Sequence, residues 1–335
     1  MPRKARIDAP GALHHIIIRG IENRKIFEDN KDRNQFIKRL GDILAEAETP
    51  IYAWALLSNH VHLLLKTGLT PIATIMRRLL TGYAVYFNRR YRRHGHLFQN
   101  RYKSILCQEE SYFLELVRYI HLNPLRAKLV GDIRTLDKYP YCGHSAVVEN
   151  VARDWQHVDY VLKFFGKRKS SARRAYRNFV KKGVLQGKRP ELTGGGLIRS
   201  VGGWAALTAL KDDVVRVKGD ERILGDTDFV ETVLKEANEQ LERRYRLKAE
   251  GVDIEQVAQR VAAVMDIPGE LVWEKSRRPS VVDARDLLCY WASIELLMSK
   301  TDLAKRLNLT QPAVSIAVRR GEKIAKEKQY KLTSG

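Results

Sequence analysis

The chain has 335 residues, of which 60 are Lys or Arg and 39 are Asp or Glu, so its formal net charge is +21. It contains no run of about eighteen apolar residues, which argues against a membrane-spanning helix, and its N-terminus, MPRKARIDAPG, lacks the apolar core of a secretory signal. Three distant cysteines without a CxxC pair exclude a zinc ribbon or a disulfide scaffold. We expect a cytoplasmic, nucleoid-associated protein that makes no membrane contact and binds a polyanion.

The positive charge is concentrated in the first part of the chain. Residues 151–190 alone carry twelve basic and two acidic residues, whereas residues 191–250 carry ten basic and twelve acidic residues. A solvated basic surface with no specific partner would not concentrate charge in this way. The distribution indicates nucleic-acid binding by the N-terminal region and by the segment that follows it.

Hydrophobic periodicity predicts the order of elements in the first 130 residues. The order is strand Leu13–Arg19, helix Lys31–Ala47, strands Ile51–Leu57 and Val61–Lys66, a long helix after Thr70 and Pro71, strand Tyr102–Gln108 and helix Ser111–Leu122. This order predicts an α+β fold, a ferredoxin-like βαββαβ sandwich with one added helix.

The remainder of the chain is predicted to be helical. The predicted helices are Val158–Phe165, Ala172–Lys182, Asp228–Leu247 and three or four helices after Asp253, and glycines at residues 194–196 and 202–203 mark loops. We therefore divide the chain into a domain at residues 1–150, a basic helical accessory or linker region at 151–250, and a helical domain at 251–335.

Two histidines at the start of a predicted strand form the first group with chemical potential. His60 and His62 are two residues apart, so on a strand both imidazoles lie on one face and can reach a single cation. Two neutral imidazoles leave coordination positions open for a phosphate oxygen. The alternative is a pair of polar residues with no metal. A second pair, His94 and His96, lies in a glycine-containing loop and is a weaker candidate.

A tyrosine and an asparagine one helical turn apart form the second group. Tyr119 and Asn123 share a face if the predicted helix continues to Asn123. A tyrosine hydroxyl can attack phosphorus, and an amide oxygen can bind a cation. Tyr102 and Tyr112 are rival nucleophiles. Glu115 precedes Tyr119 by one turn and either orients its hydroxyl or is simply solvated.

These residues lie in segments that resemble the HUH single-strand DNA transposases, and more closely the REP-associated tyrosine transposases. The resemblance covers about residues 9–130 and depends on HHIIIRG, RKIFEDNKDRNQF, YAWALLSNHVHLLLK, HGHLFQNRYKSI and SYFLELVRYIHLNPLRAKLV, which occur in family order. It implies a metal-dependent endonuclease and strand transferase that acts on single-stranded or hairpin DNA.

The resemblance also implies a role for each residue of the two groups. His60 and His62 would hold a divalent metal, Mg²⁺ or Mn²⁺, and Tyr119 would attack the scissile phosphate to form a 5′-phosphotyrosine. Asn123 stands where relatives often have Gln as a further ligand. Whether the protein is a monomer or a homodimer stays open, as does the use of Tyr119 in its own subunit or in a partner.

Basic residues near these groups are candidates for DNA contacts. Arg101, Lys103 and Arg126 are close to the proposed site in the sequence. Aromatic residues interleaved with arginine also favour single-stranded DNA as the partner.

Residues 253–331 resemble the DNA-binding domain of the replication initiator DnaA. The resemblance lies in IEQVAQRVAAVMDIPGELVWEKSRRPSVVDARDLLCYWA and in a helix-turn-helix pattern, TDLAKRLNLTQPAVSIAVRRGEKI. It implies binding of double-stranded DNA through a recognition helix. The predicted DNA-contacting residues are Arg277, Arg278, Gln311, Ser315, Arg319 and Arg320. The initiator's own signature is replaced by Thr310-Gln311-Pro312-Ala313, so its sequence preference does not transfer.

Three other functions are compatible with this sequence. The first is a domesticated protein that binds hairpin DNA without cleaving it. The second is a transcription regulator that works through the helix-turn-helix, and the third is an RNA-binding ferredoxin-like module. Formation of a covalent protein–DNA adduct distinguishes the enzyme from all three.

Overall fold

The computed structural model divides the chain into two compact units, residues 1–233 and residues 234–335. The structure describes residues 7–8, 11–68, 70–99, 101–187, 189, 192, 220, 222–226, 228–235, 237, 239, 247, 251–296 and 298–332. The glycines predicted to mark loops at residues 194–196 and 202–203 lie outside these ranges. In the described part of the chain, no helix is both long and apolar enough to cross a membrane.

The first unit is built on a five-stranded sheet. Its elements are β1 (Leu13–Arg19), α1 (Asn30–Glu46), β2 (Ile51–Leu56), β3 (His60–Lys66), α2 (Ile72–Arg90), β4 (Lys103–Cys107), α3 (Glu109–His121), α4 (Asn123–Arg126), α5 (Ile133–Asp137), α6 (His144–Val147), α7 (Val158–Leu162), α8 (Lys169–Lys182) and β5 (Ile223–Leu224). The strand order is β2-β3-β1-β4-β5. The predicted α+β class and the βαββαβ order are confirmed, and the two-residue strand β5 is an addition that the sequence did not indicate.

The central strand β1 is antiparallel to both of its neighbours, β3 and β4. Alternation of side chains along β1 divides its apolar residues between two cores. Ile16 and Ile18 face α1 and α2, whereas Leu13 and Ile17 lie on the face that α3 covers. Because β1, β2 and β3 each contribute residues to both clusters, this part of the sheet is buried on both sides.

The N-termini of α1 and α2 are capped in different ways. A neighbouring residue caps α1, whereas a residue distant in the sequence caps α2. Asp29 caps α1, since its carboxylate accepts a hydrogen bond from Asp32 N. The sequence pair Thr70-Pro71 predicts a local cap for α2, but the free amide of Ile72 donates instead to the Asp8 carboxylate at 2.9 Å. The expected local cap at Thr70 is therefore wrong.

The basic segment after residue 150 packs onto the face of the sheet that carries α3. Ala172, Tyr176 and Val180 of α8 are buried in the core beneath α3. The Tyr176 hydroxyl is 2.6 Å from His121 Nδ1 and 2.9 Å from His144 Nδ1, which links α8 to the C-terminal end of α3. The described part of this segment thus belongs to the same compact unit as the sheet.

The second unit is helical. Its helices span Ile254–Met265, Pro279–Ile294, Lys300–Arg306 and Gln311–Glu327. The second and fourth helices cross closely at Gly321, where an added Cβ would lie 2.0 Å from the carbonyl oxygen of Asp286. Thr310 caps the last helix by accepting a hydrogen bond from Ala313 N. The two helices of the predicted helix-turn-helix are present, and its DNA-binding geometry stays a prediction.

Candidate active site

His60 and His62 open strand β3 and point to the face of the sheet that α3 covers. In the antiparallel ladder His60 lies opposite Arg19 and His62 lies opposite Ile17. The centroids of the two imidazole rings are 5.1 Å apart. The turn before β3 is fixed by its backbone, because Leu57 N donates to His60 O at 2.9 Å. The predicted placement of the two rings on one face is therefore present in the structure.

A side-chain partner holds the Nδ1 atom of each ring. Asn59 Oδ1 is 2.7 Å from His60 Nδ1, while the amide of Asn59 donates to the carbonyl of Asn23. Because an amide oxygen only accepts, His60 carries its proton on Nδ1 and has a lone pair on Nε2. His62 Nδ1 is 2.9 Å from His15 Nε2.

Both imidazoles are neutral in the pH range of ordinary assays. Burial is the largest cause and lowers the pKa of His60 to about 4, with a further contribution from the charge of Arg19. Burial also holds the pKa of His62 well below its usual value, and His15, His60 and Arg19 add to the effect. A neutral imidazole is the form that binds a metal ion. Two neutral rings, of which His60 offers Nε2 and His62 can offer Nε2 in one of its two tautomers, fit a divalent cation.

Helix α3 brings Tyr119 to these histidines. Phe113, Leu116 and Ile120 bury one side of the helix against the sheet and fix its rotation. The Tyr119 ring centroid is 5.8 Å from that of His62 and 6.1 Å from that of His15, with both rings near edge-on. The proposed nucleophile and a proposed metal ligand are therefore adjacent within one chain.

Asn123 begins the short helix α4, one residue after the C-cap of α3, and its side chain is turned back toward α3. Its side-chain amide donates to the carbonyl oxygen of Tyr119 at 3.1 Å, and the residue is 8% exposed. Among the described residues, no hydrogen bond or ring contact joins Asn123 to His60 or His62. Its part in binding a metal stays a prediction. In the same described ranges, no group of three or more His, Cys, Asp or Glu side chains is placed to hold a metal ion.

Two of the three basic residues predicted near the site lie next to its components. The Arg126 guanidinium is 5.4 Å from the centre of the Tyr119 ring. Lys103 is exposed and lies opposite Ile17, so it is in the same row across the sheet as His62. Arg101 is exposed just before β4. All three stay predicted DNA contacts.

The rival residues occupy other environments. Tyr102 is buried in the core that α1 and α2 form, on the opposite face of the sheet from Tyr119. Tyr112 is seven residues before Tyr119 on α3, about 10 Å along the helix axis. Glu115 forms ion pairs with Arg118 at 2.5 Å and Arg189 at 3.0 Å, which engage its carboxylate. The ring of Tyr119 lies beside that of His62, and the role of Tyr119 as the nucleophile stays a prediction.

The structure adds His15 and Arg19 to the candidate site. Both project from β1 onto the face that carries His62, where His15 is fully buried and Arg19 is exposed. Their spacing in LHHIIIR shows that they share a face, but their position beside the histidines depends on the pairing of β1 with β3. Hydrophobic periodicity predicts both strands but not this register.

The residues predicted to contact duplex DNA lie at the surface of the second unit. Gln311, Ser315 and Arg319 are spaced by four on the last helix and therefore share a face. Gln311 and Arg320 are exposed, and Ser315 and Arg319 are half-buried. The other two predicted contacts are Arg277 and Arg278, which are exposed just before helix Pro279–Ile294.

Part of the first unit is similar to a known protein family. A solved structure of a REP-associated tyrosine transposase bound to a REP hairpin is similar with a TM-score of 0.37 and 15% identity, over 48% of this chain and 90% of that chain. No curated protein sequence matches the chain. Residues 10–123, about a third of the chain, match the family model described as "Transposase IS200 like", so the predicted resemblance to these transposases is confirmed for that region.

Proposed function

We propose that this protein is a metal-dependent endonuclease and strand transferase that acts on single-stranded or hairpin DNA in transposition or a related rearrangement. The observation that carries the proposal is the contact between Tyr119 and His62 in a region that matches the transposase model. The proposed nucleophile and a proposed metal ligand are neighbours within one chain. One subunit therefore supplies both, and we propose that Tyr119 acts within its own subunit.

The proposed reaction exchanges one phosphodiester bond for another. The Tyr119 hydroxyl loses its proton and its oxygen attacks the scissile phosphorus. The bond from phosphorus to the 3′ oxygen breaks, and that oxygen takes up a proton. The products are a 5′-phosphotyrosine and a free 3′-hydroxyl. Attack by a 3′-hydroxyl on the phosphotyrosine reverses the step and rejoins strands without ATP, because the number of phosphoester bonds is unchanged.

His60 and His62 would hold the divalent cation through Nε2, and Asn123 is the further candidate ligand. When bound, the cation supplies a Lewis acid for the non-bridging oxygens of the phosphate. The protein side chains orient the reacting groups. The sheet fixes the two imidazoles, and the buried face of α3 fixes the Tyr119 ring beside them.

The basic surface for DNA is smaller than the composition of residues 151–190 indicates. Arg173, Arg177 and Arg189 pair with Glu149, Asp137 and Glu115, respectively. Exposed cations on α8 that can follow a DNA backbone are Arg174, Lys181 and Lys182. We propose that they act together with Arg101, Lys103 and Arg126. Such contacts release counterions, so binding should weaken steeply as salt increases.

A covalent adduct assay tests the proposal. The full chain is incubated with Mn²⁺ or Mg²⁺ and a hairpin oligonucleotide that has single-stranded flanks and a label on the 3′ side of the cleavage point. The label should become attached to the protein, and peptide mapping should find it on Tyr119. Hairpin binding without any adduct would instead identify a non-cleaving DNA-binding protein.

Arg19 is expected to contribute to cleavage more than to DNA binding. It is exposed opposite His60, where a cation can meet charge that develops on the phosphate. Arg19→Gln should lower the single-turnover cleavage rate by about a hundredfold, the usual loss when one donor to a developing negative charge is removed. Arg19→Lys should recover part of the rate, since it restores the charge without the planar fork.

Arg89→Gln is the matched control for this prediction. Arg89 is an exposed arginine in the last turn of α2, on the other side of the sheet. The Arg89→Gln substitution removes the same charge from the same domain and should leave the cleavage rate unchanged. Equal rates for Arg19→Gln and the wild-type chain would show that Arg19 has no part in the reaction.

We further propose that the second unit binds double-stranded DNA through the last helix. Replacing both Arg319 and Arg320 with alanine should weaken duplex binding by about 1–3 kcal/mol. Cleavage of a free hairpin oligonucleotide should stay unchanged, because these residues belong to the other compact unit. Lys328→Ala, an exposed position just after the same helix, serves as the control. Equal losses in both assays would contradict a separate duplex-binding role.

A further inference from the structure

His15 is a fully buried side chain of the candidate site, in contact with two of its other members. It lies in the middle of the central strand β1, opposite Leu64 of β3 and Ile105 of β4, and is fully buried. Its imidazole is stacked on that of His62, with ring centroids 5.1 Å apart. The same ring meets the edge of Tyr119 at 6.1 Å. His15 therefore touches both the proposed metal ligand and the proposed nucleophile.

The hydrogen bond between the two imidazoles has a chemical consequence. His15 Nε2 and His62 Nδ1 are 2.9 Å apart, so one nitrogen carries the proton and the other accepts it. If His62 is to offer a lone pair at Nε2, its proton must be on Nδ1. His15 Nε2 is then the acceptor. This single arrangement leaves His62 in the tautomer that a cation requires.

The geometry distinguishes this role from direct ligation. The Nε2 atom of His15 accepts from His62 Nδ1 in this arrangement, and the proton of His15 is then on its Nδ1, so neither ring nitrogen offers a lone pair to a cation. Asn59 Oδ1 has the corresponding relation to His60, since it accepts from His60 Nδ1 at 2.7 Å. In this arrangement each proposed ligand has one acceptor behind it. Such partners fix the tautomer and the ring orientation of metal-binding histidines.

We propose that His15 is a positioning residue that holds His62 in its metal-binding tautomer and orientation. This inference depends on the proposed function, because it assigns a role toward the same cation. It also assigns the buried imidazole of β1 a role in the site beyond filling the core between α3 and the sheet.

Direct measurement of Mn²⁺ affinity tests the proposal independently of activity. The full-length wild-type chain, His15→Phe and His15→Gln are titrated with Mn²⁺ by electron paramagnetic resonance without DNA, and hairpin affinity is measured without metal.

His15→Phe keeps an aromatic ring against Tyr119 but removes the acceptor. It should weaken Mn²⁺ affinity by about 10–100-fold, the range typical of lost outer partners. His15→Gln retains an acceptor oxygen and should bind Mn²⁺ more tightly than His15→Phe. Neither variant should change hairpin affinity.

His14→Phe is the matched control. His14 is the adjacent residue, is equally buried, and hydrogen-bonds to Ser104 at 3.1 Å on the opposite face of the sheet. Its replacement disturbs the same strand without touching His62, so Mn²⁺ affinity should stay at the wild-type value. If His15→Phe does not fold, as judged by thermal unfolding, His15→Leu is used in its place.

Cleavage measurements at increasing Mn²⁺ provide a second readout. Saturating Mn²⁺ should restore most of the cleavage rate of His15→Phe, since the defect is in holding the cation. Three results would overturn the proposal: wild-type Mn²⁺ affinity in His15→Phe, an equal loss in the His14 control, or a loss as complete as that of His62→Ala, which would make His15 a ligand. A wild-type chain that neither binds Mn²⁺ nor forms an adduct would instead contradict the proposed function itself.

Discussion

Replacing Tyr119 with phenylalanine should abolish the covalent protein–DNA adduct and strand cleavage while leaving hairpin affinity unchanged. The substitution removes only the hydroxyl oxygen that would bond to phosphorus. It keeps the ring that packs against His62 and His15 and lies beneath Arg126. The measurement is denaturing electrophoresis of the protein after incubation with labelled hairpin DNA, with binding followed separately by fluorescence anisotropy.

Tyr112→Phe and Tyr102→Phe are the controls for this experiment. Tyr112 is on the same helix, and Tyr102 is buried on the other face of the sheet. Both variants should form the adduct at the wild-type rate. An adduct that persists in Tyr119→Phe and disappears in Tyr112→Phe would transfer the nucleophile to Tyr112 and refute the present assignment.

The residue patterns were sufficient to predict the secondary-structure elements and the face of the sheet that carries the candidate site. Alternation along β3 placed His60 and His62 together, and the apolar spacing of α3 placed Tyr119 on a helix over a sheet. These features depend on periods of 2 and 3.6 residues, which are local properties of the sequence. For the same reason, the order of the seven main elements from β1 to α3 could be predicted from sequence alone.

Features that depend on pairing between distant segments could not be predicted in this way. The contact of His15 with His62 requires the antiparallel register of β1 against β3, which joins residues 47 positions apart. The cap of α2 by Asp8 spans 64 positions. Local patterns report neither contact. An explicit register for the predicted sheet would have identified His15 and Arg19 as neighbours of the histidine pair.

The charge pattern shows where basic residues are concentrated in the chain, but it does not show how many of them are available to bind DNA. Residues 151–190 are strongly basic, yet Arg173, Arg177 and Arg189 each pair with an acidic side chain from an earlier part of the unit. These ion pairs attach the segment to the domain. Composition counts charges without their partners, so it overestimates the surface that is open to DNA.

Replacing His62 with alanine should eliminate cleavage while preserving hairpin binding. The side chain is 3% exposed and offers a neutral imidazole to the proposed cation. Loss of a Lewis acid worth several kcal/mol should lower the single-turnover rate by about a thousandfold or more. His60→Ala should act in the same direction, and a chelator should reproduce the effect in the wild-type chain. Single-turnover cleavage at several Mn²⁺ concentrations provides the measurement.

His94→Ala with His96→Ala is the matched control, because this pair has the same HxH spacing in an exposed loop. That double variant should cleave normally, and an equal loss there would contradict the assignment of His62.

Mixing His62→Ala with Tyr119→Phe then tests whether one subunit supplies the whole site. Since His62 and Tyr119 are adjacent in one chain, neither variant has a complete site, and the mixture should stay inactive. Recovery of cleavage would require Tyr119 of one subunit to serve the histidines of another, and a homodimer would be the active form.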